Sequence, residues 1–562
     1  MRKAMADLTL SVEAIGMAKH CIYVVAIVAL LVSCSGYRTA LANDIYMAQS
    51  ATGGANGADC NDAYDYDFFN AARNWGSGAN EIGPGTTVHL CGTFTASSPN
   101  TTALTFRGSG ASSSPITVLF EPGAVLSSPA WAATGAINLN RQSYVIVDGG
   151  KNGRIQNTAN GSGLANQQVS NGIYGSNNSM VHDITIRHLN VSNIYQYVAD
   201  SLPDEGAARA SQAIELYSSG SNIIIYGNTL SKCGQACIDI SAAGSNNATN
   251  WQVYSNTLSG ATWFIDLSAG ALNATFSNVL VYDNDLSDNS PFWNTDNHFH
   301  CDPIFVRAPG GGQGGSSSYS NVLIYNNYFH GPLGNMSGMI FFSYNGGGGN
   351  YVFNNIFQPS STYTLRPCAG DGWVAPNYNN VAYVGVYNNT FDSSAASACQ
   401  GSAPWGGRVT ALGGGGTSWP DTMVWENNIE TYMFGTELKS GTLTSDYNIW
   451  FGITSVRNGG GSLAFKIGRN YYTYSNWKAQ GYDAHSPGPG ADPKLDATDH
   501  LGKGSAAVAA GINLSSLCAG SLVPLCADKA GNPRPGGSTH WDLGAYNSAN
   551  PRTPMKHGAV AH

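Results

Sequence analysis

One short pattern recurs through the middle of this chain and restricts its fold more than any other feature. An aliphatic and an aromatic residue lead into Asn, and an apolar residue follows two positions later. The copies are Ile223-Ile-Ile-Tyr-Gly-Asn-Thr-Leu230, Val253-Tyr-Ser-Asn-Thr-Leu258, Val281-Tyr-Asp-Asn-Asp-Leu286, Ile324-Tyr-Asn-Asn-Tyr-Phe329, Val352-Phe-Asn-Asn-Ile-Phe357 and Val386-Tyr-Asn-Asn-Thr-Phe391. The matching Asn residues are Asn228, Asn256, Asn284, Asn327, Asn355 and Asn389, at steps of 28, 28, 43, 28 and 34 residues. Val424-Trp-Glu-Asn-Asn-Ile429 is a looser copy; Tyr144-Val-Ile-Val147 and Ile184-Thr-Ile-Arg-His-Leu-Asn-Val191 are earlier ones without the Asn. A period of this size with no helical pattern inside it indicates a β-solenoid, because one turn can bury its apolar face only by stacking on the next. Asn tolerates the left-handed backbone that a sharp bend needs, and stacked Asn side chains can hydrogen-bond along the pile. Steps longer than 28 imply insertions over 287–302, 308–320 and 395–407, which would project and wall a groove.

Composition agrees. The 562 residues include 69 Gly, 42% hydrophobic residues and only 11% charged ones. That is too apolar for disorder and too rich in Gly for helices, and it suits many short strands with tight turns. The fold class expected is all-β: a single right-handed parallel β-helix with an N-terminal capping helix and a C-terminal cap. The helix is expected over Asn61–Trp75, where Tyr64, Phe68, Ala71, Ala72 and Trp75 have helical spacing and would cover an open sheet edge. A short helix is expected within Tyr471–Gln480. The expected divisions are a signal peptide over 1–42, a cap with the first strands over 43–110, coils over 111–455, terminal coils and cap over 456–548, and a disordered tail over 549–562.

The apolar run Cys21–Ser33 has signal-peptide length, and Ala40-Leu-Ala42 is an A-x-A cleavage site. Soluble secretion or a periplasmic location follows, with no membrane span in the mature chain. Leu31-Val-Ser-Cys34 also reads as a lipobox, which would tether the chain to the cell surface by a lipid on Cys34. Export permits disulfides, and sequence proximity suggests Cys60–Cys91, Cys233–Cys237, Cys368–Cys399 and Cys518–Cys526, leaving Cys301 over. The net charge of −9 and the absence of any Lys/Arg run argue against a nucleic-acid partner. A monomer is expected.

The segments Ala213–Tyr217, Cys237–Ser241, Phe264–Ser268, Pro303–Arg307 and Met339–Ser343 each have apolar residues at their second and fourth positions. Side chains alternate along a strand, so the central position faces outward. Stacked in register, and extended upstream, that position reads Asn138, Tyr174, Glu215, Asp239, Asp266, Phe305, Phe341. The outward position two residues on reads Asn140, Ser176, Tyr217, Ser241, Ser268, Arg307, Ser343. At roughly 4.8 Å between strands, neighbouring carboxylates stand about 5 Å apart. At an effective dielectric near 20, each such pair costs on the order of 3 kcal/mol. A calcium ion shared by Glu215, Asp239 and Asp266 would offset that, as would a raised pKa that turns one carboxyl into a general acid, or Arg307 nearby. An ordinary solvated sheet face is the plain alternative.

A second cluster, Asp296, His298, His300, Cys301 and Asp302, runs straight into the Pro303–Arg307 strand. His can move protons near neutral pH. Asp239, Asp266, Glu215, His300 and Arg307 are the candidate catalytic residues; Tyr174, Tyr217, His298 and Asp302 are candidates for substrate binding. Lys232, Asp204, Glu205, Trp263 and Trp293 rank below them.

The Val-Tyr-Asn-Asn-Thr-Phe repeats, the opening Gly57-Ala-Asp-Cys-Asn-Asp-Ala63 with Ile82-Gly-Pro-Gly85, and the ending Ala509–Asn513, Asp528–Pro535 and Trp541–Tyr546 carry a resemblance. Over roughly 44–548 the chain resembles the secreted right-handed parallel β-helix proteins of the pectate-lyase-like superfamily. The resemblance implies a polysaccharide partner and cleavage by a lyase or a glycoside hydrolase. A lyase would use calcium on the acidic column to neutralise a uronate. The superfamily also holds non-catalytic surface and adhesion proteins, which is the alternative function. The full aspartate-dyad, Gly-His-Gly and Arg-Ile-Lys set of polygalacturonases is absent, although Asn294-Thr-Asp296 echoes part of it.

Overall fold

A computed structural model describes residues 44–548 except 97, 161–165, 176–179, 197–210, 218, 244–246, 271, 290–300, 309–315, 334–337, 361–371, 378–380, 397–407, 413–421, 433, 439–440 and 454–463. The signal peptide, the Cys34 lipobox, the Cys368–Cys399 pair and the tail beyond 548 lie outside the described residues.

The described chain winds into a parallel β-helix of three long sheets, with 14, 12 and 13 strands, here called sheets I, II and III. One coil shows the order. Ile223–Tyr226 lies in sheet I, Thr229–Cys233 in sheet II and Ala236–Ala242 in sheet III, and Asn247–Tyr254 then returns to sheet I. Within each strand the inward residues are aliphatic or aromatic, as at Ile223 and Ile225 or Ile238 and Ile240, all fully buried. They join one continuous core running from Ile45 to Trp477. Phe329, Phe357, Phe391 and Trp425 stack inside it with centroids 4.5–5.2 Å apart, so repetition of one aromatic position becomes an axial pile.

The turn between sheets I and II holds the recurring Asn residues, and the ladder is longer than six. It runs Asn228, Asn256, Asn284, Asn327, Asn355, Asn389, Asn428, Asn448, all essentially buried. Each uses its own backbone N–H and its amide Nδ2 to donate to Oδ1 of the next, at 3.1 and 2.9 Å for Asn228 to Asn256 and 3.1 and 3.0 Å for Asn256 to Asn284. Nδ2 also donates to a carbonyl of the neighbouring coil, as from Asn284 to Val253. The left-handed backbone expected of these Asn residues belongs instead to the residue just before each one: Gly227, Ser255, Asp283, Asn326, Asn354, Asn388, Asn427 and Tyr447, with φ from 52° to 65°. The bend and the ladder are thus two jobs on adjacent residues.

The ends differ from the expected caps. Asn61–Trp75 is not one helix. It folds as a short strand Tyr64–Asp65, a single helical turn Asp67–Asn70 and a 3-10 turn Ala72–Asn74. The buried anchor is Phe69, set edge-on against Trp75 and Phe106, so spacing alone chose the wrong Phe. A helix at Tyr474–Ala479 buries Trp477 against Phe465. Asp483 and Ser486, just past that helix, bond to Ser445 and Asn448 of the last coil and so cover the end of the solenoid, while the C-terminal segment beyond them runs back along its outside. It lies on the outer face of sheet I, with Leu514, Leu522, Leu525 and Trp541 packed on Leu323, Tyr325, Phe353 and Tyr387. Arg534 and Asn427 bond across this seam, to Asn354 and Ile512. Disulfides join Cys60–Cys91, Cys233–Cys237 and Cys518–Cys526, and Cys301 is a buried thiol.

Candidate active site

Sheet III carries the outward column. Parallel pairing puts Asn138 beside Tyr174, Tyr174 beside Glu215, Glu215 beside Asp239, Asp239 beside Asp266, Asp266 beside Phe305 and Phe305 beside Phe341. The second column aligns Tyr217, Ser241, Ser268, Arg307 and Ser343. Asn140 falls just past its strand, at φ 46°, and Ser176 lies outside the described residues.

The column is not the solvated strip its outward position suggested. Asp266 is 0% exposed and Asp239 8%; Glu215 is half-buried. Arg307 covers Asp266 with a two-pronged ion pair, Nε to Oδ1 at 3.0 Å and Nη2 to Oδ2 at 2.7 Å. Its guanidinium sits 5.4 Å from the ring centres of Trp263 and of Phe305, two rings in edge-to-face contact with each other, so the cation lies against an aromatic pair. Burial works against the Arg307 charge, but Asp266, with Asp239 and Tyr217, outweighs it and raises its pKa above the ordinary value. Both oxygens of Asp266 are thereby committed.

The other two carboxyls keep protons at unusually high pH. Burial, with the neighbouring Asp239 charge, pushes Glu215 up to about 8, against the pull of the Asn171 amide, which donates to Oε2 at 2.5 Å. Burial and then Asp266 push Asp239 up to about 7, while Arg307 and the Ser241 hydroxyl pull the other way. Ser241 Oγ donates to Asp239 Oδ1 at 2.9 Å and lies 3.2 Å from Ser268 Oγ. Glu215 and Asp239 are thus both held towards their protonated forms, while Asp266 is paired with a guanidinium.

The remaining candidates divide. Tyr174 and Tyr217 are half-buried on the same face, and the Tyr217 hydroxyl donates to the Gly270 carbonyl at 3.5 Å. Asp302, expected to touch substrate, is 2% exposed, and its Oδ1 accepts from the Gly338 N–H at 2.8 Å. It ties one coil to the next, because a carboxylate at a strand entrance meets the amide of the strand stacked on it. Lys232 is exposed on sheet II. His298, His300, Asp296, Asp204, Glu205 and Trp293 lie outside the described residues. Asn171 was missed. It sits two residues before the strand Ile173–Gly175, and extending the register by that distance would have set it beside Gln212, whose N–H it accepts at 2.8 Å.

The expected calcium set does not fit this arrangement. A cation shared by Glu215, Asp239 and Asp266 would have to displace Arg307 from both oxygens of Asp266. Among the described residues no three His, Cys, Asp or Glu side chains are grouped to hold a metal.

No family model and no curated protein matches the sequence. Solved structures of similar fold include pectate lyase Pel9A, at 12% identity over 91% of this chain and 98% of that chain with a TM-score of 0.39. Another is an alginate lyase from Paenibacillus sp. str. FPU-7, at 13% identity over 75% and 98% with a TM-score of 0.34. It is the three stacked sheets and their parallel register that make this chain a parallel β-helix.

Proposed function

We propose that the protein cleaves a polysaccharide by hydrolysis, with the glycan lying along the solenoid axis over Glu215 and Asp239. The observation that carries this reading is the pairing, on adjacent strands, of two carboxyls shielded from solvent, Glu215 held by the Asn171 amide and Asp239 by the Ser241 hydroxyl, with burial raising the pKa of each. Glu215 is the proton donor. It is still protonated at neutral pH, and Asn171 fixes one of its oxygens. Asp239 in its ionised form attacks the anomeric carbon as Glu215 gives its proton to the departing glycosidic oxygen. Water then breaks the glycosyl–Asp239 bond and returns a proton to Glu215. Carboxyls on adjacent strands stand about 5 Å apart, the separation of retaining rather than inverting glycosidases. Arg307 and Asp266 hold Asp239 in place from below and tune its charge. Tyr174 and Tyr217 flank the pair as substrate contacts, and Phe305 continues the strip as an apolar surface for a sugar ring.

Lyase chemistry is the weaker reading. It needs a base, and Arg307 is fixed on Asp266 and effectively never deprotonates. His298 and His300 stand next to the column in chain order and are the remaining candidates for that base. The disulfides fit an extracytoplasmic protein, and among the described residues no helix is long and apolar enough to cross a membrane.

The test is a screen of neutral and uronate polysaccharides for new reducing ends and for ultraviolet-absorbing unsaturated ends, with and without EDTA. Reducing ends without unsaturation, lost in Asp239→Asn and insensitive to EDTA, are expected. Unsaturated products would replace hydrolysis by elimination. Binding without any cleavage would favour the adhesion protein.

A further inference from the structure

Sheet I carries a second amide row, and this one faces outward. Asn222, Asn250, Asn278 and Asn321, on successive coils, are exposed and share a left-handed backbone, with φ from 52° to 61°. Unlike the buried ladder, the row does not close on itself. Asn250 Nδ2 donates to Asn222 Oδ1 at 3.2 Å and Asn321 Nδ2 to Asn278 Oδ1 at 3.4 Å, but Asn278 Nδ2 turns to the Thr249 hydroxyl, at 2.9 Å, rather than to Asn250. Two further outward columns run beside the row. One is Ile224, Gln252, Leu280 and Leu323; the other is Tyr226, Tyr254, Tyr282 and Tyr325, whose rings stack with centroids 4.7–4.9 Å apart. The C-terminal segment seats on this face at Leu323 and Tyr325. Where it stops, a cavity of about 190 Å³ opens beside the Asn row, over Gln252, Leu280 and Leu323, with Ser521 of the segment at its end.

Gln252 is the group that this face leaves unused. It is half-buried in a column that is otherwise apolar, it lines the cavity, and among the described residues its amide meets no hydrogen-bond partner. Shielding an amide without pairing it is costly. Among the described residues no Lys, Arg, Asp or Glu lines the cavity, and Arg187, the next residue of the tyrosine column, is spent on Asp148 and the Tyr226 hydroxyl. What the groove offers is neutral: amide donors and acceptors from Asn250, Gln252 and Asn278, the Ser521 hydroxyl and an apolar floor. That set suits an uncharged, polyhydroxylated ligand and gives a uronate or a phosphate no cation to meet. The Asn and Tyr positions recur from coil to coil, so a chain of like units meets like partners along the axis, as the long faces of solenoids allow. We propose that the open part of this face is a second glycan site, which holds a neutral oligosaccharide along the axis and, having no carboxyl in its lining, does not cleave it. It lies on a different sheet from the Glu215–Asp239 column and stands whether or not that column cleaves a glycan.

The test is calorimetric titration of the full chain carrying Asp239→Asn, so that cleavage does not intrude, with cellohexaose, xylohexaose and mannohexaose, and with hexagalacturonate as the charged control. At least one neutral probe should show a binding component that a further Gln252→Leu weakens about tenfold, the worth of roughly one hydrogen bond. Asn250→Gly, which keeps the left-handed backbone, should weaken the same component. Both variants should melt with their parent. No binding of any neutral probe overturns the proposal. So does binding that Gln252→Leu leaves unchanged, which would place the glycan on the column, or hexagalacturonate bound as tightly as the neutral probes. A dimer in sedimentation velocity that Gln252→Arg breaks would overturn it too, by giving the face to a second copy of the chain.

Discussion

The Asn ladder and the carboxylate column run along the same solenoid with the same strand-to-strand spacing; the ladder is buried throughout, the column at Asp239 and Asp266 and half-buried at Glu215. The ladder satisfies itself. Each amide is donor and acceptor at once, so Asn256 accepts from Asn228 and donates to Asn284, with its remaining amide hydrogen going to the Ile225 carbonyl. An ionised carboxylate can only accept. Three of them in register cannot bond to one another, and the column holds together only by importing what it lacks. Arg307 supplies charge to Asp266, Ser241 and Asn171 supply donors, and retained protons supply the rest. A stack that closes on itself is scaffold. A stack that must hold protons is what the proposed acid–base role of Glu215 and Asp239 requires.

The difference can be broken at either end. The largest effect is expected on turnover. Asp239→Asn should lose roughly 10²–10⁴ in rate while melting close to the wild type, as checked by reducing-end assay alongside a thermal melt. Next is Arg307→Met, which leaves Asp266 buried and uncompensated. Urea unfolding should show a loss of about 3–5 kcal/mol. A smaller loss would mean that Asp266 simply takes a proton.

Within the ladder, Asn284→Asp keeps the acceptor for Asn256 and the backbone N–H to Asn327, but removes the Nδ2 donors to Asn327 and to the Val253 carbonyl. A loss of roughly 1–3 kcal/mol at neutral pH is expected, shrinking in acid as the new carboxyl is protonated. A loss independent of pH would contradict the contrast drawn between amide and carboxylate stacks.

The smallest effect concerns Glu215. Its folded pKa of about 8 lies above the ordinary 4.5, so between those values the folded chain keeps a proton that the unfolded chain has released. Stability then falls as pH rises from 4.5 towards 8 and is flat beyond. Glu215→Gln should remove that slope. Relative to wild type it should be more stable at pH 8 than at pH 4, by roughly 1–2 kcal/mol after allowing for the solvent Glu215 retains. Urea unfolding at both pH values checks it.

Much of this was legible in the sequence for one physical reason. A parallel stack turns repeat spacing directly into register, so aligning Glu215, Asp239 and Asp266 by their flanking aliphatics also aligned them in space. The same logic found the strands at Val145 and Ile184 without their Asn. Spacing could not say what covers a face. That is why the column looked solvated, and why the Arg307 clamp, with Trp263 drawn over from the start of its strand, appeared only in three dimensions. It could not separate the bend from the ladder either, since both functions favour Asn and fall on adjacent residues. Nor could it show that the C-terminal segment seats on sheet I, because that contact joins residues as far as 203 positions apart with no periodicity linking them.

The measurement that bears most directly on the carboxylate column is its proton count at neutral pH, read by infrared difference titration of wild type against Glu215→Gln and Asp239→Asn. A protonated-carboxyl band that survives to pH 7 in the wild type, and loses one component in Glu215→Gln, is expected. Complete ionisation of Glu215 and Asp239 by pH 5 would contradict the acid–base reading of the site.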